Sequence, residues 1–60
     1  MDAETLKNIR SNIARAEDQV KSLNEDITNM RLAGIDASSL ELEARELTRR
    51  VQRMKAVYGS

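Results

Sequence analysis

An all-α fold, an antiparallel helical hairpin of coiled-coil type, follows from three observations on this sequence. Apolar residues recur at heptad spacing, Gly34 is the only glycine before the penultimate residue of a chain without proline, and the heptad phase slips by three residues at that glycine. Tyr58 is the sole aromatic residue, which suits an interior built from aliphatic side chains.

The first helix is expected over about residues 3–33, with Asp2 as its N-cap. From Leu6 the apolar positions are 6, 9, 13, 16, 20, 23, 27 and 30. Leu6, Ile13, Val20 and Ile27 take the a sites of four heptads, and Ile9, Ala16, Leu23 and Met30 take d. Such a helix is roughly 45 Å long at 1.5 Å per residue.

The turn is expected at 34–36. With Ala33 as C-cap, Gly34 falls at the left-handed position, where the missing Cβ removes a steric penalty. Ile35 then sits where a Schellman end brings it against Met30. Asp36 is a good N-cap for a second helix, with Ile35 and Leu40 as a hydrophobic staple. Ser38 competes for the cap, because it forms a capping box with Glu41.

The second helix is expected over about residues 37–58, with Ala37, Ala44, Val51 and Tyr58 at a and Leu40, Leu47 and Met54 at d. Its acids come early (Asp36, Glu41, Glu43) and its bases late (Arg49, Arg50, Arg53, Lys55), as the macrodipole favours. Glu17 with Lys21, Glu41 with Arg45 and Glu46 with Arg50 are spaced to pair along solvent-facing sides. The favoured antiparallel layering sets Ile27 against Leu40, Leu23 against Ala44, Val20 against Leu47, Ala16 against Val51, Ile13 against Met54 and Ile9 against Tyr58. A slip of about three residues toward the turn satisfies the pattern too. The competing architecture is one continuous helix in a parallel coiled coil, which would have to absorb Gly34 and the phase slip as a stammer.

Residues 1–60 make a single small domain, too short to bury a large core without a staple. Cysteine and histidine are absent, so disulfides and the usual imidazole or thiolate metal sites are excluded, and no cofactor motif is present. Nor is there a base or thiol for catalysis, and a helical seam offers no pocket, so an enzyme is not expected. Ten basic and ten acidic residues cancel, leaving no overall field toward nucleic acid or membrane. The N-terminal residues lack the features of a signal peptide and no apolar run is of spanning length, so a cytoplasmic protein without membrane attachment is expected.

The remaining staple is association. Two helices side by side leave every seam residue open on one flank, and pairing two hairpins into a four-helix bundle covers both flanks with the same sites. The expected function is therefore a non-enzymatic oligomerisation or protein–protein interaction module, its partner a second copy in a homodimer or another helical protein. Its interface is expected at Leu6, Ile9, Ile13, Val20, Leu23, Ile27, Leu40, Leu47, Val51 and Met54. Leu6 and Ile9 continue the seam past the end of the shorter second helix, and that overhang reads either as a frayed terminus or, the favoured reading, as an extension of the dimer or partner surface. In layout the hairpin resembles the small plasmid-encoded Rop-type RNA-binding hairpins and, with its glycine at the bend, the helical-hairpin chaperones of type III secretion. The resemblance is one of architecture, without a shared motif.

Two surface features carry further readings. Arg45, Arg49 and Arg53 run four apart along the outer face, with Arg50 and Lys55 beside them. They read either as phosphate contacts of a nucleic-acid-binding hairpin or as a solvated face obeying the helix dipole; no aromatic platform accompanies them. Leu32, Ile35 and Leu42 lie off the seam near the bend, either as a partner-binding tip or as cover for the end of a bundle core. A third reading is a small structural subunit or chaperone of a larger assembly, a virion or a secretion apparatus, whose partner supplies the missing flank.

Overall fold

The computed structural model describes residues 1–59, which form two α-helices packed against each other: α1 (Ala3–Leu32) and α2 (Ser38–Tyr58). The particle measures 48 × 14 × 14 Å, so it is only two helices thick along its length.

Each helix end has an identifiable cause. Asp2, in extended conformation, accepts a hydrogen bond from the Thr5 N–H at 2.7 Å and satisfies one of the orphan donors of the first turn. At the other end Ala33 is the cap and Gly34 adopts φ 75°. The Gly34 N–H then donates to the Arg31 carbonyl at 3.1 Å and the Ile35 N–H to the Met30 carbonyl at 2.8 Å, the two bonds of a Schellman end. Nothing lies within 4 Å of where a Gly34 Cβ would stand, so only backbone conformation demands glycine there. Gly34→Ala is expected to lower stability by about 1 kcal/mol and Gly34→Asn by less, read as the shift of the urea unfolding midpoint.

The start of α2 divides the capping between two residues. The Ala37 carbonyl accepts the first helical bond, from the Glu41 N–H at 2.9 Å, but Ala37 has no side-chain oxygen and is buried. Asp36 serves instead, accepting from the Ser38 N–H at 3.0 Å and from the Ser38 hydroxyl. The Ser38–Glu41 capping box does not form, because the Ser38 hydroxyl is turned to Asp36 and Glu41 to Arg31.

Both capping carboxyls are held below their ordinary value of 3.8, Asp2 by the Thr5 backbone N–H and Asp36 by the Ser38 hydroxyl and N–H, which bind the ionised form. A carboxyl lowered by folding adds stability above its unfolded value and loses it as pH falls through the folded one. The urea midpoint is therefore expected to drop as pH is taken from 5 down past about 3.8, and to drop less in Asp36→Ala, whose own cap is already gone.

The helix contact is centred on the a sites. Ile13, Ile27, Ala37, Ala44 and Val51 are the buried residues, and all five occupy a. The seven d sites, from Ile9 to Met54, are only half-buried. Ile27, Ala37 and Ala44 form one core cluster, against which Leu23, Met30 and Leu40 pack.

The register differs from the favoured layering. Ile27 lies with Ala44, Val20 and Val51 line one groove, and Leu23 and Leu47 line another, so a meets a and d meets d. Arg31 pairs with Glu41 at 2.9 Å, and Glu17 with Lys55 at 3.1 Å two heptads away, in step with that register. The slip brings a given residue of α2 against a residue of α1 about three to four positions nearer the turn. Its cause is the tight end of α1: closing the Schellman bonds at Met30 and Arg31 tucks Ala37 beneath Ile27, and the small Ala44 admits close approach one heptad on.

Candidate interaction surface

Around a helix, e sites lie next to a and g sites next to d, so the two flanks of the hairpin differ. On the e flank Glu41, Thr48 and Lys55 are half-buried against α1. Arg31–Glu41 and Glu17–Lys55 both join e to e across the helices. Glu17 and Glu41 thus reach the opposite helix instead of Lys21 and Arg45, since an e site borders the contact rather than the solvent. The Thr48 hydroxyl donates to the Ala44 carbonyl of its own helix at 2.7 Å. These pairs are well exposed and add little stability; they bridge this flank at two points, with grooves left between them, and mark the direction of pairing.

The g flank is open. Leu23 and Leu47 line a groove there together with Arg15, Asp18, Asp26 and Glu43. Gln19, Glu46 and Arg50 extend it along Leu47. No cross-helix ion pair closes this side among the described residues, and Asp26 and Glu43, both acidic, sit on it together. The half-buried d side chains therefore form an apolar stripe on one face, with a charged rim at the c and g sites.

The ten seam residues separate accordingly. Ile13, Ile27 and Val51 are buried between the helices, with Val20 half-buried beside them. Leu23, Leu40, Leu47 and Met54 are half-buried at d. Leu6 lines a groove made only of its own helix, with Lys7 and Arg10 beside it, because in the observed register Tyr58 lies level with Ile13 and α1 runs on past the end of α2. Ile9 lies in that same overhang and is half-buried.

The arginines do not act as one patch. Arg45 and Arg49 border the groove on the e flank, near an Arg31 already paired with Glu41. Arg50 lies on the g flank beside Glu43 and Glu46, and Arg53 is exposed. The three apolar residues near the bend are exposed in the single chain: Leu32 at 82%, and Ile35 and Leu42 at 54% each. Among the described residues no helix is long and apolar enough to cross a membrane.

Compared with protein-family models, with curated proteins and with solved structures, the chain matches none.

Proposed function

We propose that this chain is a non-enzymatic association module, a helical hairpin of coiled-coil type that pairs with a second copy of itself to complete a four-helix bundle. The observation that carries this reading is the stripe of half-buried d residues, including Leu23, Leu40, Leu47 and Met54, on the flank where no ion pair bridges the helices. Apolar side chains open to solvent along one face gain when a like face covers them, and a particle two helices thick has no other means of doing so. The alternative of nucleic-acid binding has less support, since Arg50 lies on a different flank from Arg45 and Arg49 and Arg31 is neutralised by Glu41.

Sedimentation equilibrium of the chain, with circular dichroism over the same concentrations, tests the proposal. The expected result is a helical species of 13.6 kDa, twice the 6.8 kDa chain. A monomer at every concentration would overturn self-association, and a poorly helical monomer would turn the search to a different helical protein as partner.

A further inference from the structure

We propose that the two copies pair with their turns at opposite ends, with Glu43 and Glu46 of one chain set against Arg53 and Arg50 of the other. This rests on the self-association proposed above and adds its orientation.

The charges on the open face are divided by height. Along the c and g rim of α2, going away from the turn, stand Glu43 and Glu46, then Arg50 and Arg53. The rim of α1 follows the same order, with Asp26 in the half near the turn and Arg15 in the other. Each hairpin thus presents an acidic half and a basic half beside the same apolar stripe.

Two hairpins stacked on this face have two symmetric arrangements. With the turns at opposite ends, the two-fold axis runs across the bundle, so α2 faces α2 and α1 faces α1, each antiparallel. An axis crossing α2 level with Thr48 sets Glu46 against Arg50 and Glu43 against Arg53, two residues and five residues from the axis, and symmetry repeats both pairs. The apolar stripe agrees with that centre to within a residue. Leu47 meets its copy, Leu40 lies against Met54, Leu23 meets its copy and Ala16 lies against Met30. With the turns at the same end α2 faces α1 instead. Glu43 then falls beside Asp26, with which it already shares a groove, and Arg53 falls near Arg15. That arrangement sets acid on acid and base on base. Rim charges of this kind select orientation more than they add affinity, which is the role required here.

The test combines a spin label with charge reversal. A nitroxide on Ile35→Cys, exposed at the turn, is expected to give a label separation of about 40 Å in the dimer, from 1.5 Å per residue on both sides of the axis. Glu43→Lys with Glu46→Lys, and separately Arg50→Glu with Arg53→Glu, are each expected to weaken self-association roughly tenfold or more at low salt. An equimolar mixture of the two variants is expected to regain the lost association, while circular dichroism of the mixture shows that both chains fold. A dimer with labels within about 20 Å, the width of a bundle, would overturn the inference and leave self-association standing. A dimer indifferent to all four reversals would overturn it too, by showing that this face is not buried. No dimer of the unaltered chain would overturn the proposed function itself.

Discussion

Ile27→Asp is expected to unfold the hairpin. Ile27 is 6% exposed and packs in the cluster with Ala37 and Ala44, at the heptad where the helices draw closest to the turn. Removing a buried isoleucine costs roughly 2 to 5 kcal/mol, and a carboxylate in its place adds the cost of taking a charge out of water. A chain of sixty residues has only about 3 to 9 kcal/mol of stability in total. Circular dichroism should therefore show most of the helical signal lost at micromolar concentration. Ile27→Val, which keeps the site apolar, should cost only about 1 kcal/mol. Full helicity in the aspartate variant would mean that the a sites do not hold the two helices together.

Leu47→Asp is expected to abolish association. Leu47 is half-buried on the open flank, level with Leu23, and in the proposed dimer it lies close to its own copy. One substitution then removes two leucines from the same layer, each worth roughly 1.5 to 3 kcal/mol when fully covered, and sets two carboxylates near each other. A loss of about a thousandfold or more in the dimer constant follows, and sedimentation should find a monomer where the unaltered chain is paired. Leu42→Asp is the control. Leu42 is 54% exposed on the far side of α2, so its substitution should move neither association nor helicity by more than about 0.5 kcal/mol. An unchanged dimer in Leu47→Asp would remove the open face from the interface.

Much of this architecture was legible in the residues. Gly34 and the three-residue phase slip agree on one break, and the structure has two helices with Gly34 at φ 75° between them. The heptad spacing separated the apolar sites from the solvated ones, since every a and d residue is at least half-buried while the outer arginines are exposed. Register was not legible, because a seam of aliphatic side chains accepts several alignments of nearly equal burial and the turn chooses among them. That choice lay in main-chain bonds, from Gly34 and Ile35 back to Arg31 and Met30, whose tightness no side chain announces. The difference between a and d was hidden for the same reason. Both are simply apolar in the sequence, and only the register shows that a faces the neighbouring helix and d is left at the edge. Once it is known, Glu17 and Glu41 become cross-helix partners, and the charges at c and g fall into two halves of one face.

The five residues from Ala33 to Ala37 that join the helices also bear on how quickly the chain finds its structure. Closing so short a loop takes on the order of tens of nanoseconds, and a helical hairpin has low contact order, because its first pairings lie next to the turn in sequence. Ile27, Ala37 and Ala44 can meet as soon as the Schellman bonds form, and each further layer toward Val51 and Ile13 closes a loop whose inner part is already ordered. If the chain pairs as proposed, zippering of this kind leaves the encounter of two chains as the slow and concentration-dependent step. The protein would then spend its time after synthesis as a formed hairpin awaiting a partner, with its apolar stripe already presented, rather than as a coil that folds only on contact.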